Sequence, residues 1–506
     1  MRRQTRRQGR GRLPVAPGSG AAAAALTWAG GALALLLAGA AAAAPGALGA
    51  RLDRALDDPR LAGARIAALV VDAATGEVLY ARHPALALIP ASNQKILTAV
   101  AALHHFGPAH RFETRLLTDR GPDPAGRVGT LFVEAGGDPA LTAEEFFRLA
   151  SDLHVRGVRR VEGGLVIDTS VFDRVYWLPD WQPVGPRAYH APVAGFTVNY
   201  GAFAVRVEPG ASAGQPARVA VDPPIPFFRL VGRVLTAAPG SRPAVSVDRI
   251  PTPTGIELRL GGRIPAGAEP ERVFRSVTDP VAYAAAVLRF ELAGLGIEVV
   301  GPTREGRIPA GARPILAFDG PPLRTEVERL LKYSNNQIAE ALLKHLGRGE
   351  GPGNTEAGLR ALREILGELG IPLEGVVLAD GSGLSRRNRV PPRTLVAALR
   401  VARASFAFGP EFRAALPIGG TDGTLERRAV HAGWRLRAKT GLLDGVTGLA
   451  GYARASEGEE RVFAVLVNGS EGAEAAARAA VDDFAAELVT GPEPPAARGS
   501  SVPGAR

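Results

Sequence analysis

The chain has 506 residues, 46% hydrophobic and 22% charged, and contains no cysteine. That length exceeds what one hydrophobic core usually serves, so two or three domains are expected. The lack of cysteine excludes a disulfide scaffold, a thiol nucleophile and a cysteine-linked lipid anchor. The net charge of +10 is concentrated at one end. Six arginines lie in "MRRQTRRQGRGR", and without them +4 remains, too little for a nucleic-acid footprint.

Residues 1–50 read as a signal peptide. A basic start is followed by the apolar run "ALALLLAGAAAAA" and then by small residues, with cleavage expected after Ala43 or Ala50. Export to the periplasm follows. The alternative is a retained anchor, since Leu13 to Ala50 carries no charge, but Ala32 to Ala44 is short for a membrane span. Arg6-Arg7 is a weak twin-arginine feature.

Residues 51–112 form the first part of an α/β domain. A helix leads into "RIAALVVDAATGEVLYAR", a hairpin turning at Ala-Thr-Gly. A second helix is expected from Ser92 to Phe106, stopped by Gly107-Pro108. Residues 113–276 alternate short β-like runs with turn residues and hold one amphipathic helix, "TAEEFFRLASDLHVRG". They read as inserted β-rich material. Residues 277–490 return to helices, then strands such as "RLRAKTG" and "RVFAVLVNG", and a closing helix over Ala473 to Leu488. The tail 491–506 has a disordered composition.

The chemistry centres on "PASNQKILTAVAAL". Ser92 and Lys95 stand three apart at the head of a wholly apolar helix, so they share a face and the amine is buried. Burial disfavours the ammonium, and a neutral amine beside a hydroxyl can activate it as a nucleophile. Alone, the pair could equally be an N-cap serine and a solvated first-turn lysine. Two later clusters decide between these readings: Ser334-Asn335-Asn336 opening a helix, and Lys439-Thr440-Gly441 in a strand. Serine–x–x–lysine, serine–x–asparagine and lysine–threonine–glycine, in that order, is the pattern of penicillin-interactive serine enzymes. An acyl-transfer site needs N–H donors aimed at the developing oxyanion, worth about 3–4 kcal/mol. Ser92 N–H and a donor from the strand can supply them. Lys439 offers positive potential and Thr440 a hydroxyl for a substrate carboxylate. Gly441 is expected to let substrate backbone approach the strand. Ser334 can relay a proton, and Asn336 can hold the substrate amide and orient Lys95. No histidine spacing suggests a metal, and no cofactor is expected.

With "EAGGDPAL", "GGLVIDTSVFD", "ADGSGLSRRNRV" and "LPIGGTDGTLERR", these clusters make the chain resemble the penicillin-binding protein 4 type of D-alanyl-D-alanine carboxypeptidase/endopeptidase, peptidase family S13. Ser334 follows Ser92 by 242 residues, a long separation that suits this family. The resemblance implies an α/β (α+β) penicillin-binding, transpeptidase-like domain, its β-sheet flanked by helices, with two β-rich inserted domains, one nested in the other. It implies that Ser92 is acylated, that Lys95 is its base, and that Leu442 N–H is the second oxyanion donor. Asp168 and Arg386 are expected to contact a diaminopimelate side chain. Implied partners are peptidoglycan stem peptides and, as covalent inhibitors, β-lactams; peripheral membrane association and a homodimer are compatible with it, nucleic acid is not. Position 442 departs from the family, which usually has threonine or serine there, and the central motif reads Ser-Asn-Asn rather than Ser-Asp-Asn. A β-lactamase-like hydrolase and a non-catalytic peptidoglycan-binding scaffold are the alternatives.

Overall fold

The computed structural model describes residues 47–181, 183–349 and 351–490. The expected tail, and residues 1–46 of the expected signal, lie outside them. The remaining residues of that signal, 47–50, open helix α1 (Ala47–Leu56), which buries Leu52 and Leu56. Among the described residues no helix is long and apolar enough to cross a membrane.

Five antiparallel strands form the central sheet: β1 (Arg65–Asp72), β2 (Val78–Arg82), β3 (Leu436–Leu443), β4 (Val446–Arg454) and β5 (Glu460–Asn468). Their spatial order is β3-β4-β5-β1-β2, so β3 is an edge. Between its charged ends, Arg65 and Asp72, strand β1 is wholly apolar because both faces of the sheet are covered. Ala67, Leu69 and Val71 point to one core and Ile66, Ala68 and Val70 to the other, as the two-residue period of a strand requires. One face carries α1 and the C-terminal helix Glu474–Val489. The other carries the helices that build the site, α2 (Gln94–Phe106), α3 (Leu323–Lys332) and α4 (Asn336–Leu346). Every residue of α4 is buried, as are Gln94 to Leu103 of α2, the all-round apolar helix read from the sequence.

Between the two halves stands the β-rich insertion. It has a five-stranded sheet of Thr303–Glu305, Leu165–Asp168, Leu131–Glu134, Glu113–Thr118 and Arg313–Asp319, in that spatial order, besides three smaller sheets. The anticipated end at residue 276 is too early. Helix Pro280–Gly294 buries Tyr283, Leu288 and Leu292 in the insertion's own core, and Arg313–Asp319 pairs with Glu113–Thr118. A helix reads as a return to the helical domain until its packing partners are known. Those partners carry the insertion to Asp319.

Candidate active site

Ser92 lies in a single 3₁₀ turn, Ala91–Asn93, immediately before α2. The turn is held by contact on both sides. Ala91 is fully buried with φ +47°, a conformation costly for a residue with a Cβ. Gly383, at φ +82°, lies on it so closely that a Cβ there would meet Ala91 O at 1.8 Å. On the other side a Cβ on Gly441 would meet Asn93 Nδ2 at 2.4 Å and Pro90 O at 2.7 Å. The glycine of the lysine–threonine–glycine cluster thus has a different task from the one expected. It lets strand β3 press against the serine turn.

Lys95 is fully buried. Its Nζ lies 3.0 Å from Ser92 Oγ and donates to Asn336 Oδ1 and to the Ser382 carbonyl, both at 2.7 Å. Burial pushes its pKa down to about 7, against the opposing pull of Asp380 and then Glu340. The two oxygens at 2.7 Å can only accept, so they take two N–H groups of a neutral amine and leave its lone pair for the serine hydroxyl. Asn336 is oriented from its other end, where Nδ2 donates to the Tyr189 carbonyl of the insertion at 2.8 Å. That bond takes one of the two N–H groups of the amide. Asn335, the unusual middle residue of its motif, accepts from Ile338 N–H at 3.0 Å as the N-cap of α4. Ser334 sits just before it at φ +57° and opens onto the cleft.

The loop that supplies the Ser382 carbonyl has its own buried scaffold. Glu340 accepts from Ser382 N–H at 2.7 Å and Gly381 N–H at 3.0 Å. Asp380 accepts from the N–H groups of Gly383 and Ser385, from Asn388 Nδ2 and from Trp181 Nε1. Burial, and then Asp380, push the Glu340 carboxyl up to about 8.

Strand β3 forms the opposite wall. Ala438 N–H donates outward to Pro417 O, and Leu436 O accepts from Gly419 N–H. Backbone groups alternate sides along a strand, so those of Thr440 and Leu442 also face outward, toward the cleft. Lys439 is fully buried and donates to the outward-facing Thr440 carbonyl at 2.7 Å. Burial, and then Lys95, hold its amine well below the ordinary lysine range. The Leu442 side chain is half-exposed in the cleft.

Ser92, Ser334, Asn336, Thr440, Leu442 and Arg386 line one cleft of about 940 Å³. Arg386 reaches the Asp444 carbonyl at 2.9 Å on its rim. Asp168 is elsewhere. It lines a separate cavity of about 310 Å³ with Arg174 and Glu305, and its oxygens accept from Ser170 and Ile308 N–H at 3.0 and 3.2 Å. Its role is to close that turn at a strand end. Asp180 does line the cleft, together with Asp444 and Glu474, and accepts from Ser385 Oγ and Arg387 Nε. Sequence reasoning missed Asp180, Tyr189, Thr424 and Glu340. Only Glu340 carried a signal, an acid one turn beyond Asn336 and flanked by the apolar Ile338, Ala339, Ala341 and Leu342.

Comparison with known proteins agrees with this geometry. Residues 48–488 match the D-Ala-D-Ala carboxypeptidase 3 (S13) family. The chain is 36% identical over 440 residues to a D-alanyl-D-alanine carboxypeptidase of Actinomadura sp. (strain R39), covering 83% of this chain and 81% of that one. It is 30% identical to one of Haemophilus influenzae, over 76% and 81%. The crystal structure of penicillin binding protein 4 from H. influenzae superposes with a TM-score of 0.72 at 27% identity, covering 86% of this chain and 98% of that one. The same protein has been solved complexed with a β-lactam. The chain belongs to the S13 family of D-Ala-D-Ala carboxypeptidases.

Proposed function

We propose that the protein is a serine DD-peptidase that cleaves peptidoglycan stem peptides through an acyl-enzyme on Ser92. The observation that carries this reading is the environment of Lys95 Nζ: two obligate acceptors on one side and the Ser92 hydroxyl on the other. Ser92 O–H gives its proton to the neutral amine as Oγ bonds to the carbonyl carbon of the penultimate D-alanine. The oxyanion is met by Ser92 N–H and the outward N–H of Leu442. Collapse expels the terminal D-alanine, or a cross-linked diaminopimelate amine, which takes a proton through Ser334. Water then attacks the ester by the reverse route, with Lys95 again the base. Arg386 and Asp180, of opposite charge and on the same cleft, suit a side chain bearing both an amine and a carboxylate, as diaminopimelate does. β-Lactams, which present an acylating carbonyl and a carboxylate, trap Ser92. Such substrates place the enzyme in the periplasm.

The test is labelling with a fluorescent penicillin and mass mapping of the adduct. Label on the Ser92 peptide, absent in Ser92→Ala, is expected; a folded protein that takes no label refutes the proposal. Digestion of purified muropeptides then separates carboxypeptidase from endopeptidase turnover, and unchanged pentapeptides and cross-links would leave only a scaffold.

A further inference from the structure

We infer that Thr424 is a specificity-determining residue of this enzyme. Its hydroxyl, paired with that of Thr440, binds the C-terminal carboxylate of the substrate and takes the place of the hydroxyl that Leu442 lacks. The inference rests on the proposed peptidase reading and concerns the same cleft.

Strand β3 offers the leaving-group side of the cleft few polar side chains. Leu442 brings an apolar surface where a hydroxyl would be useful. Lys439 spends a hydrogen bond on the Thr440 carbonyl, and its burial disfavours a positive charge. Thr440 alone would leave a carboxylate with one hydroxyl. The structure places a second one beside it: Thr424 Oγ1 lies 2.8 Å from Thr440 Oγ1, and both residues line the cleft that holds Ser92. Two hydroxyls in contact have two protons between them. One bridges the pair, and the other is free to donate to an anion, polarised by the first. The nearby Arg428 also lines the cleft, but its Nε and Nη2 are held by Asp482, at 3.3 and 2.8 Å.

Thr424 is held in place from beneath. The preceding Gly423 has φ +56°, and a Cβ there would meet Lys332 O at 2.5 Å. Asp422 accepts from Ile418 N–H at 2.8 Å and from Lys332 Nζ at 2.5 Å. Lys332 ends α3, two residues before Ser334. The loop bearing Thr424 is therefore tied to the segment bearing Ser334.

The test compares a peptide ending in D-Ala-D-Ala with its C-terminal amide, alongside penicillin acylation of the wild type. A hydrogen bond to a charged group is worth about tenfold or more in kcat/KM. Thr424→Val should lower kcat/KM on the free acid by about tenfold while changing the amide less than about twofold, so that the preference for acid over amide collapses. Thr424→Ser should restore it. Leu442→Thr added to Thr424→Val should recover part of the loss. An acid-to-amide ratio unchanged in Thr424→Val, with wild-type Ser92 still acylated, overturns the inference and leaves the peptidase reading standing. A wild type that penicillin does not acylate overturns both. Equal losses on both substrates with an unchanged melting temperature also overturn the inference, because a carboxylate-specific contact cannot act on the amide.

Discussion

The chain has four lysines among its 60 basic residues, and all four are buried: Lys95, Lys332, Lys344 and Lys439. They divide into two regions. Lys332 and Lys344 each meet a carboxylate, Asp422 and Asp173, both at 2.5 Å. Lys95 and Lys439, in the cleft, hydrogen-bond only to neutral oxygens. Residue type and burial are the same in both regions, so the partner decides what the amine does. A carboxylate makes the lysine a strut. Neutral acceptors in a dry site favour the free amine, and a free amine is a base.

The comparison breaks most visibly at the two positions that α2 and α4 contribute to it. Lys95→Met should cut the rate of penicillin acylation by about 10³-fold, within the range that loss of a general base commonly gives. It should cost little stability, because two neutral acceptors, Asn336 Oδ1 and the Ser382 carbonyl, lose a partner but no charge is stranded. Between about pH 7 and the ordinary lysine value the folded state binds fewer protons than the unfolded chain, so this amine opposes folding at neutral pH and its removal relieves that. Lys344→Met should do the reverse. It strands Asp173, whose side chain is 29% exposed, and should destabilise by about 2–3 kcal/mol, somewhat under the loss for a fully buried pair. Its acylation rate per folded molecule should match the wild type. Equal stability losses in urea titrations of the two variants would remove the distinction between strut and base.

A second measurement sharpens the same contrast. With four lysines, ¹⁵N-lysine labelling gives four amine signals, assignable by single substitutions. The Lys95 signal should titrate near pH 7, because burial pulls it down to about that value. The acylation rate should track it. Below about pH 7 the amine holds its proton, its lone pair is unavailable, and the rate should fall about tenfold per pH unit; above, it should level off. A Lys95 signal that titrates near the ordinary lysine value, with acylation independent of pH from 5 to 8, would contradict the neutral-base mechanism.

What the sequence disclosed follows from how local each feature is. The serine turn, the N-cap of α4 and the strand bearing Lys439 each lie within about ten residues, and periodicity with motif spacing located all three. The buried state of Lys95 was readable because every residue from Ile96 to Leu103 is uncharged and nearly all are apolar. Features made by contact across hundreds of residues were not. Nothing near Asp168 says that its carboxylate is spent on Ser170 and Ile308 N–H, and nothing near Asp180 says that it reaches the cleft. Tyr189 contributes a carbonyl, which leaves no mark in residue identity. The end of the insertion was misplaced for the same reason, since Pro280–Gly294 shows its partner only in three dimensions. Gly441 shows the converse: its position was legible, but its physical reason lay in a contact with the turn at Pro90.

The smallest effect extends the rule to acids. Glu326 of α3 is fully buried, and neither of its carboxyl oxygens has a hydrogen-bond partner; Asp138 Oδ2 is likewise unpartnered. Burial and then Asp138 hold Glu326 well above the ordinary range, while burial pushes Asp138 up to about 7, despite its bond from Ala140 N–H and with Arg329 pulling the other way. Like Lys95, these groups have no close counter-ion and favour the neutral form. A carboxyl raised in the folded state keeps its proton there after the unfolded chain has released it. Its contribution is full below about pH 4, the unfolded value, and is lost as pH rises through the folded value, about 7 for Asp138. Glu326→Gln keeps the volume, removes one of the two protons at issue and relieves its neighbour of a like charge. Its unfolding free energy should therefore fall less than that of the wild type between pH 5 and pH 8, by about 1–2 kcal/mol in paired urea titrations. Parallel curves for the two proteins would mean that the buried carboxyls have a compensating charge nearby, and that the rule drawn from the lysines does not extend to the seam between α3 and the insertion.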